Sequence, residues 1–381
     1  MMMMMSRPTL PSPWPFVIVL LVIMVVMPLA KIVVEGCLAS DREALLDFKA
    51  CLNEPYLGIF STWLGDDCCR NWYGISCDPT NHRVADINLR GESEDPIFLR
   101  AGRSGRMTGS ISPSICKLDR LTALIIADWK GISGEIPGCI TSSLPSLRVL
   151  DLVGNRLSGR IPPDIGNLRK ATVLNLADND LSGEIPASIV QMSSLMHLDL
   201  RNNRISGQIP SDIGKLTMLS RALLGRNQIM GLIPSSIATI YRLADLDLSM
   251  NKISGWIPEQ LGKMPVLSTL NLDCNSIGGQ IPESLLSNTG LGILNLSRNG
   301  LEGSIPDVFG PKTYFMALDL SYNSLKGKIP TTLLGANYIG HLDLSHNHLC
   351  GPIPIGEPFE HLEASSFDYN DCLCGNPLRT C

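Results

Sequence analysis

The sequence lacks the short motifs that mark common catalytic and nucleotide-binding sites. It has no G-x-S-x-G nucleophile elbow, no H-E-x-x-H zinc-binding helix, no G-x-x-x-x-G-K-[ST] phosphate loop and no dinucleotide fingerprint. Each of these motifs places a reactive group or a phosphate-binding backbone on a defined turn or helix. We therefore expect a protein that is not an enzyme and that holds no cofactor or metal ion.

An excess of positive charge is also missing. The 381 residues include 31 Lys and Arg against 36 Asp and Glu, which gives a formal net charge of −5 at pH 7. A nucleic-acid partner normally needs a basic face that neutralises phosphates. The one compact basic run, "RAGRSGR" at residues 100–106, is more simply a loop. We therefore expect no nucleic-acid partner.

Long apolar runs are scarce. The longest, "FVIVLLVIMVVMPLA" at residues 16–30, is shorter than the roughly 20 apolar residues of a membrane-spanning helix and contains Pro28. Residues 1–15 carry Arg7 and no acid, and the small residues Ala30 and Gly36 follow the run. This order predicts a secretory signal peptide over residues 1–36 and no membrane span after its removal. A plastid transit peptide is the alternative, although such peptides are rich in Ser and Arg.

A repeated unit fills most of the remaining chain. Strings related to "LDLSMNKISGWIP", residues 246–258, recur, and each carries one Asn at the same place. The asparagines follow one another at one constant interval: Asn155, Asn179, Asn203, Asn227, Asn251, Asn275, Asn299, Asn323 and Asn347. A fixed interval within the range of about 20–50 residues predicts one elongated solenoid of stacked coils instead of several globular domains.

Each unit divides into a strand and a turn. Leu246 and Leu248 are two residues apart, the period of a strand whose alternate side chains face one way. The Gly and Pro of the following "NKISGWIP" suit a turning backbone. Stacked coils would place their strands about 4.8 Å apart in a parallel sheet. The Asn side chain has one acceptor and two donors, so we expect a structural ladder of asparagines that satisfies buried backbone groups at each bend.

The repeat L-x-x-L-x-L-x-x-N-x-L resembles the leucine-rich repeat. Its extension "LSGxIP" is similar to the plant extracellular subclass found in polygalacturonase-inhibiting proteins and receptor ectodomains. Three further segments resemble plant proteins of the DNA-damage-repair/toleration type: "RGESEDPIFLRAGRSGRMTGSI" (90–111), "ADWKGISGEIP" (127–137) and "DVFGPKTYFMALDLSYNSL" (307–325). The similarity extends from about Ser40 to Cys381.

This resemblance implies an α/β solenoid. The expected architecture is a right-handed leucine-rich repeat superhelix of about 11 repeats, with a parallel sheet on its concave face and disulfide-bonded N- and C-terminal caps. The expected boundaries are residues 37–83 for the N-terminal cap, 84–354 for the repeats with an irregular insertion at about 90–106, and 355–381 for the C-terminal cap.

The 12 cysteines are concentrated at the two ends of the chain, as in proteins of an oxidising compartment. By similarity to the caps of plant leucine-rich repeat proteins, the expected disulfides are Cys37–Cys68, Cys69–Cys77, Cys350–Cys372 and Cys374–Cys381. Cys116 and Cys139 lie one coil apart and could bond across the stack. Cys51 and Cys274 would remain free thiols.

The concave sheet is the expected binding surface. With leucines five and three positions before each Asn turned inward, the residues six, four and two positions before it face outward. Asp or Asn occupies the position four before in eight of the nine coils, either as a binding feature or as part of the sheet's own hydrogen bonding. The predicted partner-binding residues are Val149, Asp151, Val153, Val173, His197, Asp199, Arg201, Arg221, Leu223, Arg226 and Asp247.

Aliphatic groups flanked by Arg suit a protein partner or an acidic glycan better than a small molecule, and a solvated mixed face is the alternative. We expect a secreted monomer of the extracellular space or cell wall that binds a cell-wall enzyme, a peptide or a receptor ectodomain, in defence or signalling. The alternative hypothesis is a DNA-damage toleration factor of the plastid or nucleus without intrinsic catalysis. Asn295 in "NLS" is the only N-x-[ST] sequon, and a glycan there would cover part of the concave face.

Overall fold

A computed structural model of the protein describes residues 36–92, 94, 96–102, 104–356 and 359–381. The predicted signal peptide at residues 1–36 lies outside the described residues except for Gly36, as does Arg103 of the basic run. Gly36–Cys381 forms one compact unit.

The largest element is a sheet of twelve strands within the described residues, which we call the main sheet. Its first two strands are antiparallel and every later pair is parallel, so eleven strands run in one direction. The strands are Ile75–Cys77, Val84–Arg90, Ala123–Ala127, Val149–Asp151, Val173–Asn175, His197–Asp199, Arg221–Leu223, Asp245–Asp247, Thr269–Asn271, Ile293–Asn295, Tyr314–Asp319 and Tyr338–Asp343. The expected solenoid of parallel strands is confirmed.

The register of the main sheet follows the sequence interval. Val149, Val173, His197 and Arg221 lie opposite one another on four consecutive strands. Each step between these residues is one full repeat, the same interval that separates successive asparagines. Equivalent residues of successive coils therefore form straight columns across the sheet.

A second set of short strands follows the bends, and we call these strands the back strands. They are Leu52–Asn53, Thr108–Ser110, Ile132–Glu135, Arg156–Ser158, Ser182–Glu184, Arg204–Ser206, Met230–Gly231, Lys252–Gly255, Ser276–Gly279, Gly300–Ser304, Ser324–Gly327, His348–Pro352 and Cys372–Cys374. Leu52–Asn53 and Thr108–Ser110 are antiparallel, and the later neighbours are parallel. Two of the parallel neighbours meet only at single bridges, Arg160 with Ser182 and Gln208 with Met230.

Short helices connect the back strands to the main sheet. Pro is the first residue of two of these helices, where its fixed φ suits the first turn and it needs no amide partner, and it is the N-cap residue of five more. The α-helices are Ala39–Ala50, Pro96–Ala101, Cys139–Ser143 and Glu283–Leu286. The 3-10 helices are Ile59–Thr62, Pro113–Lys117, Ile165–Asn167, Ala187–Gln191, Ile213–Lys215, Ser235–Thr239, Glu259–Lys263, Thr331–Gly335 and Ala364–Ser366.

The core lies between the main sheet and the back strands. Leu246 and Leu248 are completely buried, as their positions in the repeat predict. Burial of a leucine side chain contributes about 1.5–3 kcal/mol, and the same contribution recurs in every coil. The stack of leucines and isoleucines is the main source of stability.

The asparagines form the ladder that the sequence predicts. Asn227 Nδ2 donates hydrogen bonds to the carbonyl oxygens of Leu200, Leu224 and Gly225 at 2.9–3.3 Å, and its Oδ1 accepts one from the amide of Ile205 at 3.0 Å. One side chain thus joins its own bend to the preceding coil. The sequence interval does not reveal a further rung, Asn370, whose Oδ1 accepts the amide of Leu349 at 3.0 Å.

Caps cover both ends of the stack. Trp63 and Trp72 stack at 5.1 Å between ring centroids in the N-terminal cap, where buried Asp41 accepts two hydrogen bonds of 2.9 Å from Arg83. Five disulfides are present: Cys37–Cys68, Cys69–Cys77, Cys116–Cys139, Cys350–Cys372 and Cys374–Cys381. Cys51 and Cys274 are free. The expectation of disulfide-bonded ends is confirmed.

The irregular segment near residues 90–106 packs on one aromatic side chain. Trp129 is completely buried, its indole N–H donates to the carbonyl of Leu89 at 3.0 Å, and Phe98 lies 6.5 Å away between ring centroids. A Cβ on Gly105 would collide with the Trp129 ring, so only glycine fits there. The insertion is therefore an ordered part of the first coils where it is described.

Candidate functional site

The outward face of the main sheet is lined by the columns that the sequence predicts. Val149 and Val173 are register partners and half-buried, and Val153 is half-buried as well. Their methyl groups form a small aliphatic area beside polar residues, with Asp151 on the strand of Val149 and His197 opposite Val173. Val149 and Val173 lie on strands and Val153 lies two residues beyond the end of one, so the area is built on the sheet.

The column of Asp and Asn residues four positions before each ladder Asn accepts hydrogen bonds at the ends of the strands. Asp247 Oδ1 accepts from the amide and the hydroxyl of Ser249 at 3.0 and 2.6 Å, and Asp319 does the same with Ser321. These bonds satisfy amides at the point where each strand ends. The column therefore has a structural role in addition to any role in binding.

Ion pairs hold two of the arginines that the sequence predicts for this face. Arg201 binds Asp199 through two nitrogens, at 3.0 and 2.7 Å, and this hydrogen bonding raises the pKa of Arg201. Arg221 contacts Asp245 at 3.0 Å on the next strand. Asp199 is only 4% exposed. Within the predicted cationic patch, Arg201 and Arg221 are thus held in ion pairs.

Asp151 and His197 complete this arrangement. Asp151 is 7% exposed and accepts a hydrogen bond of 3.0 Å from Arg90 Nη2. Partial burial lowers the pKa of His197, and the neighbouring Arg221 and Arg201 lower it further, while Asp199 opposes them. His197 is therefore mostly uncharged at neutral pH and can both donate and accept a hydrogen bond.

Two predicted site residues occupy unexpected positions. The expectation that Leu223 adds an exposed aliphatic group is wrong, because Leu223 is 6% exposed between its register partners Asp199 and Asp247. Arg226 is exposed, but it lies beyond its strand at a left-handed φ of 56°. Arg226 consequently belongs to the rim of the sheet and not to its face.

The residues directly before the ladder asparagines form a column at the rim of the main sheet, which we call the rim column. This column carries stacked planar groups that the repeat does not dictate. Arg298 lies over the Tyr322 ring at 4.0 Å, Tyr322 stacks on His346 at 3.8 Å, and His346 stacks on Tyr369 at 4.2 Å. These residues share a left-handed φ directly before the ladder asparagines. The signal in the sequence is an aromatic residue or His immediately before Asn in three successive coils.

Asn295 stands in the C-terminal half of the main sheet. Its Oδ1 accepts from the amide and the hydroxyl of Ser297 at 3.0 and 2.7 Å. Its Nδ2, the atom that carries an N-linked glycan, makes no hydrogen bond with the described residues. The predicted glycan would leave the ladder unchanged and stand on the outward face.

Potential metal ligands come together at one place in the described part of the chain. The sulfur atoms of Cys37, Cys68 and Cys69 lie within 4.8 Å of one another. All three cysteines are disulfide-bonded, so they supply no thiolate for a metal ion.

The outward face of the main sheet can present hydrogen bonds, ion pairs and aliphatic contact to another molecule.

No helix in the described ranges has the length and apolar character needed to cross a membrane. Three family models match the chain. The leucine rich repeat N-terminal domain matches residues 38–78, and leucine rich repeat models match 145–205, 242–264, 266–288 and 290–311.

Two curated plant proteins are similar over about a third of the chain. The DNA damage-repair/toleration protein DRT100 of Arabidopsis thaliana is 63% identical over 126 residues, which are 33% of this chain and 34% of that protein. A polygalacturonase inhibitor of Vitis vinifera is 31% identical over 118 residues, 31% of either chain. The aligned part of the chain thus spans about a third of these relatives' own length.

Two solved structures share the fold over most of this chain. The ectodomain of the Arabidopsis thaliana receptor kinase GASSHO1/SCHENGEN3, in complex with CASPARIAN STRIP INTEGRITY FACTOR 2, is 30% identical with a TM-score of 0.74 over 88% of this chain and 38% of that chain. A plant ice-binding protein is 27% identical with a TM-score of 0.68 over 91% of this chain and 98% of its own. The chain is a plant leucine-rich repeat protein, related to the DNA damage-repair/toleration protein, to polygalacturonase inhibitor and to leucine-rich repeat receptors.

Proposed function

We propose that this protein is a secreted, non-catalytic recognition protein that binds a protein partner through the outward face of its main sheet. The partner is a cell-wall enzyme, a peptide or a receptor ectodomain. The binding residues are Val149, Asp151, Val153, Val173, His197, Asp199, Arg201, Arg221 and Asp247, with Arg226 at the rim.

The observation that carries the proposal is the set of oriented ion pairs beside an aliphatic area. Arg201 and Arg221 are held by Asp199 and Asp245 on neighbouring strands, so their guanidinium groups are already positioned. Arg is enriched at protein interfaces, and a positioned side chain loses little conformational entropy on binding. The remaining exposed N–H groups can bind carboxylate or carbonyl oxygens of a partner.

The comparisons support the class of function. The receptor kinase ectodomain named above was solved in complex with another protein factor, and the Vitis relative is named as an inhibitor of an enzyme. Their partners are properties of those proteins, and the present chain's own partner is to be identified by experiment.

Secretion is supported by the disulfides and by the predicted signal peptide. Five disulfides within one chain are typical of proteins that fold in an oxidising compartment. In the cell wall, a glycan on Asn295 would cover the C-terminal half of the face and restrict binding to the coils between Val149 and Asp247. A peptide map of the secreted protein with unmodified Asn295 would remove this restriction.

Affinity capture from plant cell-wall extract tests the proposal. Arg221→Glu reverses one charge on the main sheet and sets a carboxylate against Asp245, which repels it, so this variant should abolish capture of the main partner. Arg204→Glu is the matched control, because Arg204 pairs with Asp180 at 2.7 Å among the back strands. Loss of the partner with both variants, or with neither, would reject the main sheet as the binding surface.

The DNA-damage toleration hypothesis predicts a different location. A plastid or nuclear protein would be recovered from those compartments with its cysteines reduced. The net charge of −5 argues against direct binding to nucleic acid. Fractionation of plant cells that express the full chain, with the redox state of the cysteines measured in each fraction, separates the two hypotheses.

A further inference from the structure

The residue between Gly and Ile-Pro in each repeat forms a row along the back strands. In four successive coils this row is Gln208, Leu232, Trp256 and Gln280. Each side chain lies beside the glycine of the next coil, as Leu232 lies beside Gly255 and Trp256 beside Gly279. Because these glycines have no Cβ, the side chains of the row can lie directly against the backbone of the next coil.

Two members of the row are exposed apolar groups. Leu232 is 52% exposed and Trp256 is 66% exposed, and Met230 nearby is 46% exposed. The equivalent positions of other coils carry polar residues, such as Glu184 and Lys328. Trp256, Leu232 and Met230 together form an exposed apolar patch, and such patches mark binding sites.

A groove of about 590 Å³ lies next to Trp256. Its size is that of a small-ligand site. Apolar walls come from Ile233, Pro234 and Pro258, and the rim carries the side chains of Gln208, Ser211, Ser235 and Gln260. The surface therefore combines a flat aromatic platform with amide and hydroxyl groups at its edge.

The groove is electrically neutral. The only charged residue that lines it, Glu259, is paired with Lys263 at 2.7 Å. Within the described residues, the amides of Gln208, Gln260 and Gln280 have no hydrogen-bond partner of their own. A fitting ligand is uncharged, has an apolar flat face and carries many hydroxyl or amide groups at its edge.

We propose that this groove binds a neutral, equatorially linked pyranose chain. The C–H face of one sugar ring stacks on Trp256, and the ring hydroxyls bond to the glutamine amides and serine hydroxyls. Coils follow one another at about 4.8 Å, close to the advance per sugar of an extended β-linked chain. A glycan that runs along the solenoid thus places successive sugars over successive members of the row. This site is separate from the protein-binding face of the main sheet.

Titration with defined oligosaccharides tests the proposal and identifies the source of the sugar. The probes are cellohexaose and hexa-N-acetylchitohexaose, with α-linked maltohexaose and an acidic oligogalacturonide as controls. Trp63, Trp72 and Trp129 are at most 3% exposed, so Trp256 is the exposed indole of the described chain and its fluorescence reports binding directly. Isothermal calorimetry on the full secreted protein supplies the affinity.

We expect at least one β-linked probe to bind and to change the fluorescence of Trp256. Trp256→Ala should weaken this binding by about tenfold or more, and Trp256→Phe should weaken it less. Tyr241→Ala, which removes a 54%-exposed aromatic ring outside the groove, should leave the affinity unchanged. Arg221→Glu should also bind the glycan normally, which separates this site from the proposed function.

Several outcomes overturn the proposal. They are binding of neither β-linked probe at millimolar concentration, equal binding of maltohexaose or oligogalacturonide, and unchanged affinity in Trp256→Ala. A wild-type dimer that Trp256→Ala dissociates would assign the groove to a second copy of the chain. Loss of a protein partner with Trp256→Ala but not with Arg221→Glu would assign the groove to a protein.

Discussion

Asn227 and Asn155 occupy the same bend in two different coils, but they form different sets of hydrogen bonds. Asn227 donates to three carbonyls and accepts from the amide of Ile205 in the preceding coil. Asn155 makes the three donated bonds, while its buried Oδ1 has no partner among the described residues. The regular coils are joined through the ladder, and this junction lacks one of the connecting bonds.

The first coils also contain one more residue between paired back strands. Ser182 pairs with Arg204, whereas Ser133 pairs with Arg156, so the step between paired residues is one position longer in the first coils. The first coils rely instead on the buried Trp129 and on the packed insertion. A repeat protein can thus replace periodic hydrogen bonds with a local aromatic core.

The strongest test of this contrast is Trp129→Ala. Loss of a completely buried indole should destabilise the protein by about 3–5 kcal/mol, because the insertion loses its packing partner. Urea unfolding measures the change. Trp256→Ala is the control, since removal of an exposed indole should change stability by about 0.5 kcal/mol or less. A cost below about 1 kcal/mol for Trp129→Ala would contradict the proposed role of this aromatic core.

The ladder itself is tested by Asn227→Ala and Asn155→Ala. Asn227→Ala removes the acceptor of the Ile205 amide, at a cost of about 1–3 kcal/mol, while the carbonyls of Leu200, Leu224 and Gly225 each keep a second donor. Asn155→Ala removes only donated hydrogen bonds, so its cost should be smaller. Both values come from the same unfolding experiment. The reverse order would mean that the unpaired Oδ1 of Asn155 has a partner in solution.

The glycines of the turns give a third comparison. Gly207 has a φ of 74°, and a Cβ there would lie 2.6 Å from Glu184 Cγ. Gly207→Ala should therefore cost about 1–2 kcal/mol for the left-handed backbone, plus the displacement of Glu184. A Cβ on Gly134 in the irregular coil would lie 3.5 Å from the Cβ of Ser110. Gly134→Ala should therefore cost only the free energy of the left-handed backbone. Equal costs would show that the row of side chains over the glycines adds no strain.

The smallest expected effect is that of Asp128→Asn in the irregular coil. Burial raises the pKa of Asp128, and Glu92 and Asp151 raise it further. The folded protein therefore binds a proton there more readily, and this carboxyl lowers stability as pH rises above its unfolded pKa of about 3.9. Asn keeps the left-handed φ of 62°, and because solvent screens this partly exposed carboxyl the gain should be at most about 0.5 kcal/mol at neutral pH.

Unfolding at several pH values checks this effect, and the gain should vanish below about pH 3, where Asp128 is protonated in both states. Asp178→Asn, the same change at a left-handed position of a regular coil, is the control. A gain that persists at low pH would assign the effect to packing and not to charge.

The periodic parts of the molecule could be predicted from the sequence because each depends on one repeated local pattern. The strands, the inward leucines and the ladder follow from the constant interval between asparagines. The interval does not predict Asn370 as a ladder residue, because Asn370 lies one position closer to Asn347 than the interval requires. It belongs to the C-terminal cap, which has its own register. The pairing of Arg201 with Asp199 depends on side-chain conformations that periodicity does not determine.

The surface features were predictable only in part. The burial of Leu223 depends on its neighbours across the sheet, which belong to other coils. The groove beside Trp256 could have been found by the apolar residues in a column that is otherwise mostly polar. The rim stack from Arg298 to Tyr369 required the left-handed backbone that brings these planar groups face to face.

Hydroxyl-radical footprinting of the protein with its captured partner tests the central claim most directly. The proposed function predicts that the partner protects His197 and neighbouring side chains of the main sheet, while Met230 and Trp256 among the back strands remain as reactive as in the free protein. Protection confined to Met230 and Trp256, with His197 unchanged, would contradict recognition through the main sheet.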